Sequence, residues 1–226
     1  TSDGSFIITG LTKSFGAGVN DVYLIKTNSL GNLIWTKTFG GAQDDEGYCI
    51  IESDDGNYVI AGVTSSFGSG SRDVWLIKTD TAGSTIWTKT FGGLSSDGAW
   101  SVNKTNDGGY IITGWTFSFG PAAVGNVFLV KTDSAGNQQW YKTFGGTDVD
   151  RGYEVEQTTD GGFIVTGYTS SSGAGLDDML LIKTDSVGNE IWTKTFGGTG
   201  RDYGYSVQQT DDGGFIIAGY TLSFGA

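Results

Sequence analysis

Histidine is absent from the 226 residues, and cysteine, proline and methionine occur once each. Lacking histidine, the chain holds no Ser-His-Asp arrangement and no histidine-bearing metal site. One cysteine excludes a disulfide framework and a cysteine-based metal centre. Cys49 lies in "GYCII", where the other copies of that phrase place Ser101, Glu154 and Ser206, so it reads as a small residue filling a strand position. With a single proline, Pro121, against 39 glycines, the chain turns by glycine. No Gly-X-Y period accompanies those glycines, which excludes collagen. Positive charge is scarce: 13 Lys and Arg face 25 Asp and Glu, a net charge of −12. Those cations are dispersed, so a phosphate backbone is repelled and nucleic acid is not an expected partner. No apolar run is long enough to form a membrane-spanning helix, so membrane insertion is not expected.

What the chain does hold is repetition. Trp35, Trp87, Trp140 and Trp192 recur at 52 or 53 residues, each inside a near-copy of "IWTKTFGG". The turns Asp3-Gly4, Asp55-Gly56, Asp107-Gly108, Asp160-Gly161 and Asp212-Gly213 keep the same beat. A period of this size marks a repeat architecture. The copies run approximately 1–52, 53–104, 105–157 and 158–209, with a partial copy at 210–226, and are read as a single domain spanning 1–226. The chain starts inside a copy and is expected to be part of something longer.

Each copy contains four short β-rich runs separated by Gly and Asp signals, which predicts four strands. "GYSVQQT" (204–210) alternates, and "FIIAGYT" (215–221) is nearly continuous in apolar residues. The third runs are 22–27, 74–79, 127–132 and 179–184, and "IWTKTF" is the fourth. The two middle runs, without polar alternation, suit strands covered on both faces. In the fourth, Trp35, Lys37 and Phe39 share one face. Its repeated lysines (Lys37, Lys89, Lys142, Lys194) suit a sheet edge, where lysine blocks foreign pairing; a ligand contact is the other reading. Gly31, Gly83, Gly136 and Gly188 follow Asn28, Asp80, Asp133 and Asp185 by three residues, the pattern of an Asx-started type I turn closed by a left-handed glycine.

The expected fold is therefore all-β: a β-propeller of four-stranded antiparallel blades, about four blade equivalents plus an extra strand. Four blades, five blades and a portion of a larger ring all remain open. In a four-bladed ring Tyr205–Thr210 would pair beside Phe6–Leu11, leaving Phe215–Thr221 over. A wholly buried tryptophan between neighbouring blades would contribute roughly 4–6 kcal/mol by area.

"KTDSVGNEIWTKTF" (183–196) resembles the docking segment of quinoprotein-like and BamB-like propellers, in which an Asp and a Gly precede a Trp on the outer strand. Asp185, Gly188 and Trp192 match in type, at a spacing about one residue shorter, and the similarity extends to every copy. The wording "TKTFGG…DGGFIITGYTSSFGAG…DVYLIKTD" is similar to tandem propeller repeats of uncharacterised prokaryotic surface or secreted proteins. That resemblance implies an extracellular or cell-surface location and no particular activity.

Two candidate sites share one predicted face. Asp45, Asp97, Asp150 and Asp202 each follow the second Gly of "FGG" by four residues. A ring of carboxylates suits a hard cation such as calcium; alternatively each locks the amides of its own loop. The "SFGAGxxD" loops carry Phe15, Phe67, Phe119 and Phe224, with Ser172 in the fourth copy, and tips that differ, including Asn20 and Arg72. Phe15, Phe67, Phe119, Arg72 and Asn20 are the candidate ligand contacts, since loops on a rigid scaffold carry binding. The phenylalanines also suit a plain cover for the blade top. The functional expectation is a non-catalytic binding or adhesion module for a glycan or protein ligand, without cofactor unless calcium. The alternative is a structural repeat that self-associates through unpaired blade edges into a layer or filament.

Overall fold

The computed structural model describes residues 1–121 and 124–224, and the structural statements below concern those residues. They form 17 strands and no helix. Four inner strands are β4 (Asp45–Glu52), β8 (Asp97–Lys104), β12 (Asp150–Gln157) and β16 (Asp202–Gln209). Second strands are β1 (Phe6–Thr12), β5 (Tyr58–Thr64), β9 (Tyr110–Thr116), β13 (Phe163–Thr169) and β17 (Phe215–Thr221). Third strands are β2 (Asp21–Thr27), β6 (Asp73–Thr79), β10 (Asn126–Thr132) and β14 (Asp178–Thr184). The outer strands are β3 (Leu33–Phe39), β7 (Thr85–Phe91), β11 (Gln138–Phe144) and β15 (Glu190–Phe196).

Two compact units divide the chain: 1–102 with 135–137, and 103–134 with 138–226. The first holds the sheets β1-β2-β3 and β4-β5-β6-β7; the second holds β9-β10-β11 at the end of β8, then β12-β13-β14-β15 and β16-β17. Paired strands within these sheets run antiparallel, as the tight turns dictate. β16 pairs with β17, and β1 heads a three-stranded sheet.

Burial follows strand position. β5, β6, β9 and β10 are buried at every residue, as the lack of polar alternation predicts for their apolar stretches, and the burial extends to Lys78 and Lys131. In the first unit Val22, Leu24, Ile60, Trp75 and Ile77 form a core flanked by Trp35 and Phe39. In the second, Val127, Leu129, Val155, Phe163, Leu180 and Ile182 do the same, flanked by Trp140 and Phe144. Each such side chain, fully buried, contributes about 1.5–3 kcal/mol.

Trp35, Trp140 and Trp192 pack against the sheet cores, and the outer-strand tryptophans as a set are partly buried, short of the full burial that sets the upper bound on their contribution. Their rings lie over turns of the following copy, where a Cβ on Gly83 would meet Trp35, one on Gly136 Trp87, and one on Gly188 Trp140. Each of these glycines has φ between 75° and 79°, so left-handed backbone and ring contact both require glycine there. The outer-strand lysines join this contact: Lys89 Nζ donates to Asn137 Oδ1 and Lys142 Nζ to Asn189 Oδ1, both at 3.0 Å. These strands do lie at sheet ends, so edge position and docking coincide in one side chain.

A second lysine set is buried. Lys26, Lys78, Lys131 and Lys183, on the third strands, pair with Asp3, Asp55, Asp107 and Asp160 of the Asp-Gly turns at 2.7–2.9 Å. Lys131 also donates to Thr132 O at 2.8 Å and to Gln139 Oε1 at 3.1 Å. Such an ammonium leaves water only because several oxygens receive its protons. Burial alone would raise the Asp107 carboxyl, but hydrogen bonds from Lys131 and Thr105 outweigh it and hold the pKa at about 2.

Candidate functional site

At the start of each inner strand the chain is locked by its buried aspartate. The Asp45 amide donates to Asn20 O at 2.9 Å, and Asp97, Asp150 and Asp202 repeat this with Arg72, Gly125 and Asp177 at 2.8–2.9 Å. On the side chain, Asp45 Oδ2 accepts from Gly41 N at 2.8 Å and Ser66 Oγ at 2.6 Å, while Oδ1 accepts from the Thr64 hydroxyl. Asp97 Oδ2 accepts from Gly93 N at 2.8 Å; Asp150 Oδ2 accepts from Gly146 N and Ser171 Oγ. Asp202 is held by Gly198 N, Ser223 and Thr221. These carboxylates therefore serve the loop lock that spacing allowed. Among the described residues no cluster of three or more His, Cys, Asp or Glu groups is placed to hold a metal ion.

A second buried polar residue, not singled out from sequence, stands beside each lock, an acid in three copies and an amide in one. Asp21, Asp73, Asn126 and Asp178 open the third strands. A Cβ on Gly92 would meet carboxylate oxygens of both Asp73 and Asp97, and Gly40 and Gly197 sit likewise between their pairs. Burial, with the nearby charge of Asp97, pushes the Asp73 carboxyl up to about 6. Burial and Asp202 raise Asp178 as well. The signal was present as the Asp of "SFGAGxxD", but only folding brings it to the other aspartate.

The loop residues hold to this lock. Asn20 Nδ2 donates to Asp44 Oδ1 at 2.6 Å, and the Arg72 guanidinium reaches Glu46 Oε1 at 3.2 Å. The two predicted sites are thereby brought onto one end of the strands. Phe15, 62% exposed, lies 6.0 Å from Tyr23, and Phe67, 47% exposed, lies 5.3 Å from Trp75. Phe119 lies between Phe128 and Tyr141, at 5.7 and 4.9 Å. Each rests on the aromatic residue of its third strand and keeps part of its ring in water.

Just inside the lock, one extra residue is inserted into the inner strand. The register shifts between Gly47 and Cys49, Gly152 and Glu154, and Gly204 and Ser206 leave Tyr48, Tyr153 and Tyr205 as bulge residues. A bulge re-aims the side chain it carries. Opposite it, the backbone comes so close that a Cβ on Gly62 or Gly167 would lie 1.9 or 1.8 Å from a carbonyl oxygen of Glu46 or Arg151. This explains Gly62 and Gly167 inside their second strands, and Gly219 beside Tyr203 O likewise.

The re-aimed rings gather. In the first unit Tyr48 lies 4.9 Å from Trp100. In the second, Tyr153, Tyr168, Tyr203, Tyr205 and Tyr220 form a continuous cluster with centroids 4.7–6.5 Å apart. Tyr205 is 51% and Tyr220 37% exposed. Tyr203 Oη donates to Asp177 Oδ2 at 2.6 Å, and Arg201 Nε lies 3.3 Å from the same oxygen. Burial raises Tyr203, reinforced by Asp177, and pushes Tyr153 up to about 12, so both phenols stay protonated donors at neutral pH. The positions that build this face differ between copies: Glu46, Gly98, Arg151 and Tyr203 at one, and Val63, Trp115, Tyr168 and Tyr220 at another. Chemically it offers exposed ring faces beside fixed donors and acceptors. By contrast, a depression of about 650 Å³ at the opposite strand ends of the first unit, lined by Asp3, Lys26, Trp35 and Tyr58, has its main charges already paired.

No family model matches the chain. A 144-residue stretch is 26% identical to the regulatory protein FlaEY of Caulobacter vibrioides; the match covers 58% of this chain and 14% of that protein.

Proposed function

We propose that the repeated sheets are blades of a β-propeller and that the chain is a non-catalytic recognition module, extracellular or at a cell surface, which binds carbohydrate through its inner-strand tyrosine face. The observation that carries this reading is the cluster around Tyr203, Tyr205 and Tyr220, where partly exposed rings stand beside Asp177 and Arg201. Sugar C–H faces stack on such rings, and hydroxyls find donors and acceptors already oriented. Variation between copies at these positions, over an almost invariant scaffold, also favours recognition. The loop phenylalanines frame the same end of the strands. A glycan array probed with the 226-residue chain and with Tyr205→Ala and Tyr203→Phe tests it. Retained glycans lost in Tyr205→Ala and weakened in Tyr203→Phe support the reading; absence of glycan binding, or binding unchanged in both variants, overturns it.

A second reading, self-association, is favoured by the open edges. β1 and β17 carry exposed Phe6, Ile8, Leu11, Ile216 and Tyr220, an apolar strand pattern suited to being covered. A second copy or further sequence of the same protein would supply that cover. Sedimentation velocity over a wide concentration range distinguishes them: concentration-dependent growth supports self-association, and one species throughout overturns it.

A further inference from the structure

The fourth copy breaks the pattern at two positions that touch. In the first three copies a loop phenylalanine lies on a third-strand aromatic: Phe15 on Tyr23, Phe67 on Trp75 and Phe119 on Phe128. In the fourth the matching residues are Ser172 and Leu180. Where the two rings would have met there is a cavity of about 220 Å³, with Phe144, Leu180 and Ile182 among its walls. An apolar cavity of about 150 Å³ already accommodates benzene, so this one has room for a ring and a short arm.

Its polar wall is equally unusual. Asp150, 0% exposed, lines the cavity. Its Oδ2 accepts from Gly146 N at 3.0 Å and Ser171 Oγ at 2.8 Å. Its Oδ1 has no hydrogen-bond partner, whereas the matching oxygens of Asp45 and Asp202 accept from Thr64 and Thr221. Thr169, the counterpart of those threonines, lines the cavity without satisfying this oxygen. A buried carboxylate oxygen left without a donor is costly, and a ligand that donates to it recovers that cost. A second carboxylate, Glu190, also lines the cavity, and no Lys or Arg does.

We propose that this cavity is a binding site for a small organic ammonium with an apolar, preferably aromatic, body. The body takes the space left by the missing phenylalanine, and the ammonium donates to Asp150 Oδ1. An anion is disfavoured by two carboxylates, and a hydrated metal ion by three apolar walls. The site stands independently of the tyrosine face, so either can fail without the other.

Benzylamine is the direct probe, titrated at pH 7 into the 226-residue chain and followed by amide chemical shifts and calorimetry. Saturable binding is expected, with shifts confined to residues around Asp150 and Ser171. Benzyl alcohol and benzoate, of the same shape, should bind at least about tenfold more weakly. Ser172→Phe, which installs the residue of the other copies, should abolish binding and raise Tm by about 2–4 °C. Equal binding of benzyl alcohol overturns the ammonium assignment, and binding that survives in Ser172→Phe overturns the location. No saturation by millimolar benzylamine overturns the site altogether. Asp150→Asn, if it folds, should bring benzylamine down to the level of benzyl alcohol; an unchanged preference for the amine contradicts the role of Asp150.

Discussion

The sheets β1-β2-β3 and β4-β5-β6-β7 are built from nearly the same words, yet Phe6, Ile8 and Leu11 are exposed where Tyr58, Ile60 and Val63 are buried. Two neighbours make the difference: β4 pairs along β5, and the first sheet packs onto it, with Lys26 donating to Tyr58 and with Val22 and Leu24 sharing a core with Ile60. β4 covers β5, and its bulge at Tyr48 brings a carbonyl against Gly62; the matching Gly10 has nothing within 4 Å of where a Cβ would stand. The second strand is thus composed for a partner that the first sheet lacks. The inner strand does two jobs at once: it closes the sheet, and through its bulge it aims the aromatic side chains that make the candidate site.

That comparison can be broken most directly at the glycines. Gly62→Ala and Gly167→Ala force a methyl into a backbone oxygen and should cost about 3 kcal/mol or more. Gly10→Ala meets no obstacle and should change stability by less than about 1 kcal/mol. Chemical denaturation of the three variants decides it; equal losses at Gly10 and Gly62 would show that the inner strand is not the cause.

The buried lysines extend the comparison to the last sheet. Asp107→Ala leaves the Lys131 ammonium to Thr132 and Gln139 and should cost about 1–3 kcal/mol, moderated because the aspartate is half-exposed. In the sheet β16-β17 the equivalent Asp212 bonds only within its own turn, to Thr210 and Gly214, so Asp212→Ala should cost distinctly less. A ranking in the opposite order would remove the ion pair from the account of the turns.

The residue that opens the third strand differs between the second and third copies, Asp73 against Asn126. The folded pKa of Asp73, about 6, lies above its ordinary value of 3.8, so the folded chain binds this proton more tightly. Its contribution is complete below pH 3.8 and is lost as the pH rises to about 6. Asp107 and Asp160, both held near 2, lose their contribution only at lower pH and leave this window undisturbed. Asp73→Asn should therefore raise stability at pH 7 by about 1–3 kcal/mol and flatten the decline between pH 4 and 6. A decline as steep as in the parent chain would put its origin elsewhere.

The smallest effect belongs to the site itself. Tyr205→Ala removes a half-exposed ring and should alter stability by less than about 1 kcal/mol, so a thermal melt close to the parent is expected. A large loss would make the tyrosine cluster part of the core.

Strands, turns and buried middle runs were legible because they depend on local alternation and on Gly and Asp at fixed spacing. The Asx turns at Asn28, Asp80 and Asp185 are as the spacing predicted. What was illegible lies where distant residues meet. The buried Lys131 looks like any strand lysine until Asp107 closes over it, and the pKa of Asp73 rises only once folding buries it, with Asp97 adding to the effect. The Tyr205 bulge depends on register, which the extra residue sets against β17 rather than within its own strand. Ser172 was visible as an exception, but its consequence needed Leu180 and Asp150 beside it. The partial burial of the tryptophans also escaped composition, since ring size says nothing of how much of a ring a turn covers.

In the proposed carbohydrate-binding function, the inner strands, rather than the loop tips, carry recognition. The most direct measurement is retention of a glycan ligand by Tyr205→Ala and Phe15→Ala compared with the parent chain. Loss of binding in Tyr205→Ala with full retention in Phe15→Ala is the predicted result. Full retention in Tyr205→Ala with loss in Phe15→Ala would contradict it.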